Sequence, residues 1–596
     1  MLNYIQNREY RKDIDGLRAI AVLAVIIFHF GYLPNGYLGV DIFFVISGFL
    51  ITGKIYRELN ENKFSIINFY LGRTRRILPL TLFICLVSLI VGIATMLPDD
   101  LENLAQSVIA TNFFSNNILQ AVTTKNYWDV VNEYKPLMHT WSLGIEEQYY
   151  LFYPFLFLLI TKKRKNWLLP LISLLAFASI ALYFMPYQEF KKFYLIFFRF
   201  WELALGGVAA IILNNRLINH KYSALFVLSL IIFILFELSF ISNEVKLLVT
   251  VMLTLGILVS SNENNKLSKL ILENSVMVAA GKISFSLYMW HQLILAYVRY
   301  SLYQNLHITH LISILFTIVI LSIISYFLIE QPFRNRNKIN TQKLLLTICL
   351  IFLLTNSVSF YLYLNAGVLK DIPELGISKS QIGKNMHAKY NSRIYNNDNS
   401  FISNNKIKVL VIGNSFARDW ANVLLESKYN HDLEISYIYN PNSHTKIKNR
   451  VENADIIFYS TPNINTVQQL GIPLNKIWAV GTKNFGTSNG IFYNYKGDGY
   501  YTQKTFMENR YYEINKSLQQ QWGDRYINLI EKVIDDNQMV PVFTPSHKFI
   551  SQDCRHFTKA GAKYYAQLFE SELLSIFNRS KKIADSKLDN TEIITR

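Results

Sequence analysis

Two sets of side chains in this sequence have the types and spacing for acid–base and nucleophilic chemistry. The first is Arg18 and His29, eleven residues apart in the apolar run R-A-I-A-V-L-A-V-I-I-F-H. On a helix eleven positions turn through about 1100° and rise about 16 Å, so the two side chains share a face and would line one path. Ionisable groups at membrane depth are costly, which reads as a buried functional pair; the other reading is Arg18 as a flank and His29 as an interfacial histidine. The second set is Ser415 in G-N-S-F with Asp553 and His556 in D-C-R-H. A serine at a strand-to-helix turn presents its hydroxyl beside free backbone N–H groups and suits an exposed nucleophile, although a helix-capping serine gives the same pattern. His556 is then the candidate general base, and Asp553 the group that fixes its tautomer.

Other charged groups stand in apolar surroundings. Arg73, Arg75 and Arg76 sit at an expected membrane boundary, where they are either fixed donors for an anionic ligand or an ordinary positive flank. Glu146, Glu147 and Glu330 need protonation or pairing with Arg18 or His29. Glu202 beside Arg199 reads as a structural pair. His291 is either catalytic or an interfacial hydrogen-bonding group, and Tyr149, Tyr150 and Tyr153 are belt residues or ligand contacts. No His/Cys/Asp cluster has metal-ligand spacing, so no metal is expected.

The elements that must position these groups fall into two parts. A chain of 596 residues with 51% hydrophobic residues is too apolar for a soluble enzyme and too long for one domain. The excess lies before residue 366, where apolar segments near 14–33, 38–54, 77–97, 143–161, 166–185, 194–214, 221–240, 243–260, 277–300, 309–330 and 344–364 predict about eleven membrane spans. The first reads as a retained signal anchor. Basic clusters at Arg8–Lys12, Lys54–Arg76, Lys162–Lys165 and Arg334–Lys338 then share the cytoplasmic side, the acidic loop 98–135 lies outside, and an odd span count puts residues 366–596 outside too. The net charge of +17 reflects this topology and surface lysines, with no call for nucleic acid. Of three cysteines only Cys554 lies outside the spans, so no disulfide is expected in the soluble part.

Beyond residue 400, short β-branched runs alternate with helical stretches and predict an α/β domain with a mainly parallel sheet. The expected strands are Lys408–Ile412, Leu433–Tyr439, Ala454–Tyr459, Ile477–Val480 and Met539–Phe543. Helices are expected after Ser415, over 524–536, and from Thr558 to about Phe577. The expected organisation is a membrane domain over 1–340, a further span over 341–366, a linker with little structure over 367–400, a soluble domain over 401–580 and a disordered tail over 581–596.

The G-N-S and D-x-x-H blocks resemble the SGNH hydrolase family over about 400–578, which implies Ser415, Asp553 and His556 as a triad and an asparagine in the oxyanion hole. Asn463 in S-T-P-N is the first candidate for that donor, and Asn484 in G-T-K-N-F-G the second. The N-terminal half resembles the membrane-bound acyltransferase-3 family through D-G-L-R-A-I-A-V with His29, G-V-D-I-F-F-V-I-S-G-F-L-I-T, F-Y-L-G-R-T-R-R-I-L-P, H-T-W-S-L-G-I-E-E-Q-Y-Y, W-E-L-A-L-G-G, I-S-F-S-L-Y-M-W-H and Y-F-L-I-E-Q-P-F-R. That resemblance implies an acetyl-CoA-dependent O-acyltransferase of the bacterial inner membrane with a periplasmic C-terminal domain. It makes Arg73, Arg75 and Arg76 the acyl-CoA-binding residues, Arg18 a group that polarises the thioester or binds pantetheine, and His29 a base or acyl carrier. The implied acceptor is an envelope or lipid-linked glycan, with lipopolysaccharide O-antigen or core ahead of peptidoglycan and capsule. Tyr493, Tyr495, Tyr500 and Tyr501 form a candidate sugar platform. Two other readings remain: an esterase in the soluble domain, and an exporter with a glycan-binding module.

Overall fold

The computed structural model describes residues 10–123, 130–160, 167–213, 218–219, 223–237, 239–261, 266–301, 306–381, 387–440, 444–486 and 489–579. Arg8, the Lys162–Lys165 cluster and the tail over 581–596 lie outside the described residues. The chain divides into two compact units, one of Met1–Ala94, Asn103–Arg299 and Gln304–Tyr361, the other of Thr95–Glu102, Tyr300–Tyr303 and Leu362–Arg596.

The first unit is helical. It is built on α1 (Lys12–His29), α2 (Gly39–Asn60), α3 (Ile66–Thr95), α4 (Thr140–Leu159), α5 (Ile196–Leu213), α6 (Ser284–Ser301) and α7 (Ile308–Ser325), with α8 (Thr341–Leu364) running into the second unit. Among the described residues five helices are long and apolar enough to cross a membrane: Gly36–Asn60, Ile66–Thr95, Ile196–Leu213, Ile308–Arg334 and Thr341–Leu364. The protein is therefore a membrane protein. Four charged residues, Lys12, Asp13, Asp15 and Arg18, set α1 apart from that group.

Three expected spans have a different form. The helix that carries the span expected to begin at 77 starts a full three turns earlier, so Arg73, Arg75 and Arg76 are helical residues of α3 that precede its apolar stretch. The span expected over 277–300 is two helices, Ser275–Lys282 and α6, broken at Ile283. The span over 309–330 passes into a π-helical turn, Tyr326–Glu330, whose widened ring presents Glu330 inward, 1% exposed. Helices α2 and α5 approach closely through small residues: a Cβ on Gly48 would collide with the Leu203 carbonyl, and one on Gly206 with the Val45 carbonyl.

The second unit is α/β, with β1 (Ile407–Gly413), β2 (Leu433–Tyr439), β3 (Ile456–Ser460), β4 (Ile477–Val480), β5 (Lys504–Phe506), β6 (Tyr526–Ile527) and β7 (Met539–Pro541). Its five-stranded sheet has the order β2-β1-β3-β4-β6, every neighbouring pair parallel. Val409 and Val411 face one apolar cluster and Leu410 and Ile412 the other, as a central strand covered on both faces requires. The helices that matter to the site are α9 (Ser415–Glu426), which follows β1, and α10 (Lys559–Leu568), capped by the Thr558 hydroxyl on the Gly561 N–H.

Four of the five expected strands form this sheet, and the fifth differs. Met539–Pro541 pairs antiparallel with β5, while the last strand of the main sheet, β6, lies inside the segment expected to be a helix over 524–536. Ile527, Ile530, Val533 and Ile534 have helical spacing, but Tyr526 and Ile527 pair with Ala479 and Val480. The Asn528 side chain then takes the N–H groups of Ile530 and Glu531, turning the backbone away from a helix. The stretch expected as an unstructured linker is also ordered in part. It holds a helix, His387–Ser392, and buries Val368, Ile372 and Ile394, with Arg393 bonded to Asn422 and Glu426.

Candidate active sites

The soluble site grows from the end of β1. Gly413 has φ +134°, and a Cβ there would stand 3.2 Å from the Cβ atoms of Ala417 and Ser460, so only glycine fits the turn. Asn414, and not Ser415, is the capping residue: its side-chain oxygen accepts the Phe416 N–H at 2.9 Å. Ser415, released from capping, is half-buried in the first turn of α9.

The loop before α10 brings the other two residues. Asp553 accepts the backbone N–H groups of Arg555 at 3.0 Å and His556 at 2.7 Å, and its second oxygen takes Nδ1–H of His556 at 2.5 Å. A carboxylate can only accept, so the proton of the neutral imidazole sits on Nδ1 and Nε2 is a lone pair. That Nε2 lies 2.8 Å from Ser415 Oγ. The structure thus brings together the three residues of the expected triad, in a geometry able to deprotonate the serine as it attacks a carbonyl.

The two oxyanion candidates separate. Asn463 is exposed, and its side-chain oxygen caps its own short helix through the Asn465 N–H at 2.9 Å. Asn484 is 1% exposed; its oxygen accepts the Gly486 N–H, while its Nδ2 has no hydrogen-bond partner among the described residues. Its neighbours bracket the triad loop, since the Lys483 ammonium lies over Phe557 and the Phe485 N–H bonds the Cys554 carbonyl. Of the two, Asn484 has the buried side-chain N–H left without a partner among the described residues. Of the aromatic platform, Tyr500 is buried and held by Glu374, Tyr493 lies beneath Lys496, Tyr495 is exposed, and Tyr501 stacks on His547 at 4.1 Å.

In the helical unit a cavity of about 300 Å³ is lined by Arg18, Arg73, Arg76, Glu146 and Tyr150. A second, of about 740 Å³, is lined by Arg18, Arg75, Arg76, Lys282, Arg334 and Arg336, so Arg18 and Arg76 line both. Arg18 also pairs with Asp15 at 3.3 Å. Arg75 is 3% exposed and its two terminal nitrogens donate to the carbonyls of Phe333 and Ile339 and to Thr341, while its Nε has no hydrogen-bond partner among the described residues.

The acidic residues do not pair with Arg18 or His29. Glu146 accepts from Ser47 at 3.0 Å and Tyr150 at 3.2 Å. Glu330 bonds Ser286 and forms an ion pair with Arg334. Glu147 has an oxygen with no hydrogen-bond partner among the described residues. Glu202 pairs with Arg199, and Asp41, which the sequence did not single out, joins them in one buried cluster.

His29 is not in either of these cavities; with Arg299 and Gln292 it lines a third, of about 120 Å³. The expected single path lined by Arg18 and His29 is therefore divided among the cavities described. Between them runs a series of rings: Tyr288, which lines the first cavity, packs on His291, and His291 lies 5.1 Å from His29 between ring centroids. His29 and His291 both hold Nδ1 against a backbone carbonyl, of Val25 and Tyr288, which leaves each Nε2 as the lone-pair nitrogen. His291 is buried within the helical unit, 1% exposed. Tyr149 and Tyr153 are buried and stacked at 4.2 Å, so they are not belt residues, and Tyr150 faces the cavity.

A family profile described as "Acyltransferase domain" matches residues 11–330. The chain belongs to the acyltransferase-3 family. Among curated relatives, "Putative O-acetyltransferase SAS0844" of Staphylococcus aureus (strain MSSA476) is 32% identical over 354 residues, covering 55% of this chain and 58% of the relative. "O-acetyltransferase OatA" of Staphylococcus aureus (strain NCTC 8325 / PS 47) is 31% identical over 362 residues, covering 56% of this chain and 59% of the relative. The matched region thus spans under two thirds of the length of these relatives. No solved structure matches the chain.

The family profile covers the ring series and the cavity linings up to residue 330, leaving out Arg334 and Arg336; the Ser415 site lies beyond it. Sequence reasoning passed over Asp419 and Lys483, which form a buried ion pair at 2.6 Å beside the triad. A signal existed for Asp419, which stands four residues after Ser415 and so shares its helix face. Lys282 and Arg336, which line the second cavity, were also passed over, because flanking cations are common.

Proposed function

We propose that this acyltransferase-3 protein moves an acetyl group from cytoplasmic acetyl-CoA across the membrane to a hydroxyl of a cell-envelope glycan. The observation that carries the reading is the hydrogen-bonded series Asp553, His556 and Ser415 in a chain whose helical unit belongs to an acyltransferase family. The curated relatives named as O-acetyltransferases support transfer to oxygen.

In this reading Arg18, Arg76 and Lys282 hold the donor phosphates in the larger cavity, and the adjoining cavity takes the acyl end. Either His29 Nε2 attacks the acetyl carbonyl and carries the acyl group, or it takes the proton of an acceptor hydroxyl that attacks; in both, the thioester C–S bond breaks and the thiolate leaves and takes up a proton. Ser415 Oγ then attacks the acyl carbonyl while its proton passes to His556 Nε2 and Asp553 balances the imidazolium; the bond from the acyl carbon to its carrier breaks, and His556 loses that proton to the departing group or to solvent and is neutral again. Asn484 Nδ2 donates to the oxyanion. The glycan hydroxyl attacks the acyl-serine, His556 takes its proton, and that proton returns to Ser415 Oγ as the C–O bond to the serine breaks. Lipopolysaccharide O-antigen or core is the acceptor proposed first, on the resemblance of G-N-S-F-A-R, with the serine site on the outer side of the cytoplasmic membrane.

The test supplies the full chain in nanodiscs with acetyl-CoA labelled in its acetyl group. Label recovered as an ester on Ser415, and lost in Ser415→Ala, supports the reading. Label on the glycan with none on Ser415 contradicts it.

A further inference from the structure

One cation touches both residues that follow the nucleophile and the base. The Lys483 ammonium lies 4.4 Å from the ring centroid of Phe416, next to Ser415, and 4.4 Å from that of Phe557, next to His556. It donates at 2.6 Å to Asp419 Oδ2, and the same oxygen accepts the Phe557 N–H at 3.1 Å. Asp419 stands on α9 four residues beyond Ser415, so the pair fastens the nucleophile's helix, the segment after β4 and the histidine loop at one point.

We propose that Lys483, paired with Asp419, is a positioning residue that holds Ser415 Oγ and His556 Nε2 at attack distance. The inference rests on the triad reading above. Both side chains are almost wholly buried, at 0% and 1% exposure. Burial pushes the Lys483 ammonium down from its ordinary range, and the Asp419 carboxylate opposes that shift. A buried ion pair is a poor source of net stability compared with apolar residues of the same shape, so its presence at this point suits a geometric task. Lys483 acts through the rings of Phe416 and Phe557, and a displacement of about 1 Å between reacting groups costs about a hundredfold in rate.

The test uses the full chain in detergent, with two readouts: kcat and KM for hydrolysis of a soluble acetyl ester, and the labelling rate of Ser415 by a fluorophosphonate probe. The double variant Lys483→Met/Asp419→Asn removes the charges of the pair together, keeps the linear stem between the rings, and keeps one amide oxygen to face the Phe557 N–H or Arg418, which lies 3.4 Å from Asp419 Oδ1. We expect kcat and the labelling rate to fall about 10- to 100-fold, KM to stay within about twofold and melting to be unchanged. Lys483→Arg, which keeps the cation, restores at least about a third of the rate. A double variant that works at the wild-type rate overturns the proposal, as does one that raises KM instead. One that fails to fold also overturns it, because the pair is then a folding element. If wild-type Ser415 is itself not labelled, the triad reading fails, and that result is separate from any effect of Lys483.

Discussion

His556 Nε2 stands 2.8 Å from Ser415 Oγ across 141 residues of sequence. The parallel sheet ends β1 at one edge of the site, and the Asp553 carboxylate shapes the loop that returns to it. Replacing Ser415 by Ala should abolish acyl-enzyme formation. Asp553→Asn should lower hydrolysis of a soluble acetyl ester by about 10²- to 10⁴-fold, because an amide in place of the carboxylate no longer fixes Nδ1–H or balances the imidazolium. Steady-state rates of the two variants check this.

Asn484 and Asn463 should behave differently. Asn484→Ala removes a buried donor beside the triad loop and should cost about 10²- to 10³-fold in kcat. Asn463→Ala removes a helix cap, which should cost about 1 kcal/mol of stability and leave kcat within about twofold. Paired kinetics and melting of both variants decide between them.

Gly413→Ala should both destabilise the soluble unit and displace the nucleophile. The positive φ costs about 1–3 kcal/mol for a residue with a side chain, and the new methyl group presses on Ala417 and Ser460. The expected result is a lower melting temperature together with slower labelling of Ser415 by a fluorophosphonate.

The arginines of α3 should divide by role. Arg76→Ala, at the junction of the two cavities, should raise KM for acetyl-CoA at least about tenfold with the fold intact. Arg75→Ala leaves the carbonyls of Phe333 and Ile339 without their buried donor and should cost about 1–3 kcal/mol of stability. Donor titration and thermal unfolding in detergent separate the two.

The local chemistry of this chain is written plainly in its sequence where one residue type does one job. Gly413-Asn414-Ser415 after a β-branched run and Asp553-x-x-His556 before a capped helix give the triad, and four strands of the parallel sheet follow from their apolar runs. What sequence could not give is whatever depends on a distant partner. The helical spacing of Ile527 to Ile534 gives way to pairing with β4, and the isolated apolar residues of the segment before β1 find places in the core. One miss was local: Glu330 is claimed by Arg334, four residues on, and not by the more distant Arg18. The choice of Asn484 over Asn463 turns on burial, which spacing does not encode.

The central claim is that the helical unit and the serine site act in series on one acyl group. Its most direct test is the acetate released by mild base from envelope glycans of cells lacking the protein and complemented with wild type, His29→Ala or Ser415→Ala, with lipopolysaccharide, peptidoglycan and capsule fractions assayed apart. The relay predicts that one fraction gains acetate with wild type and with neither variant, both variants being present in the membrane at wild-type amounts. Full acetylation by Ser415→Ala would contradict it, because the helical unit would then acylate the glycan unaided.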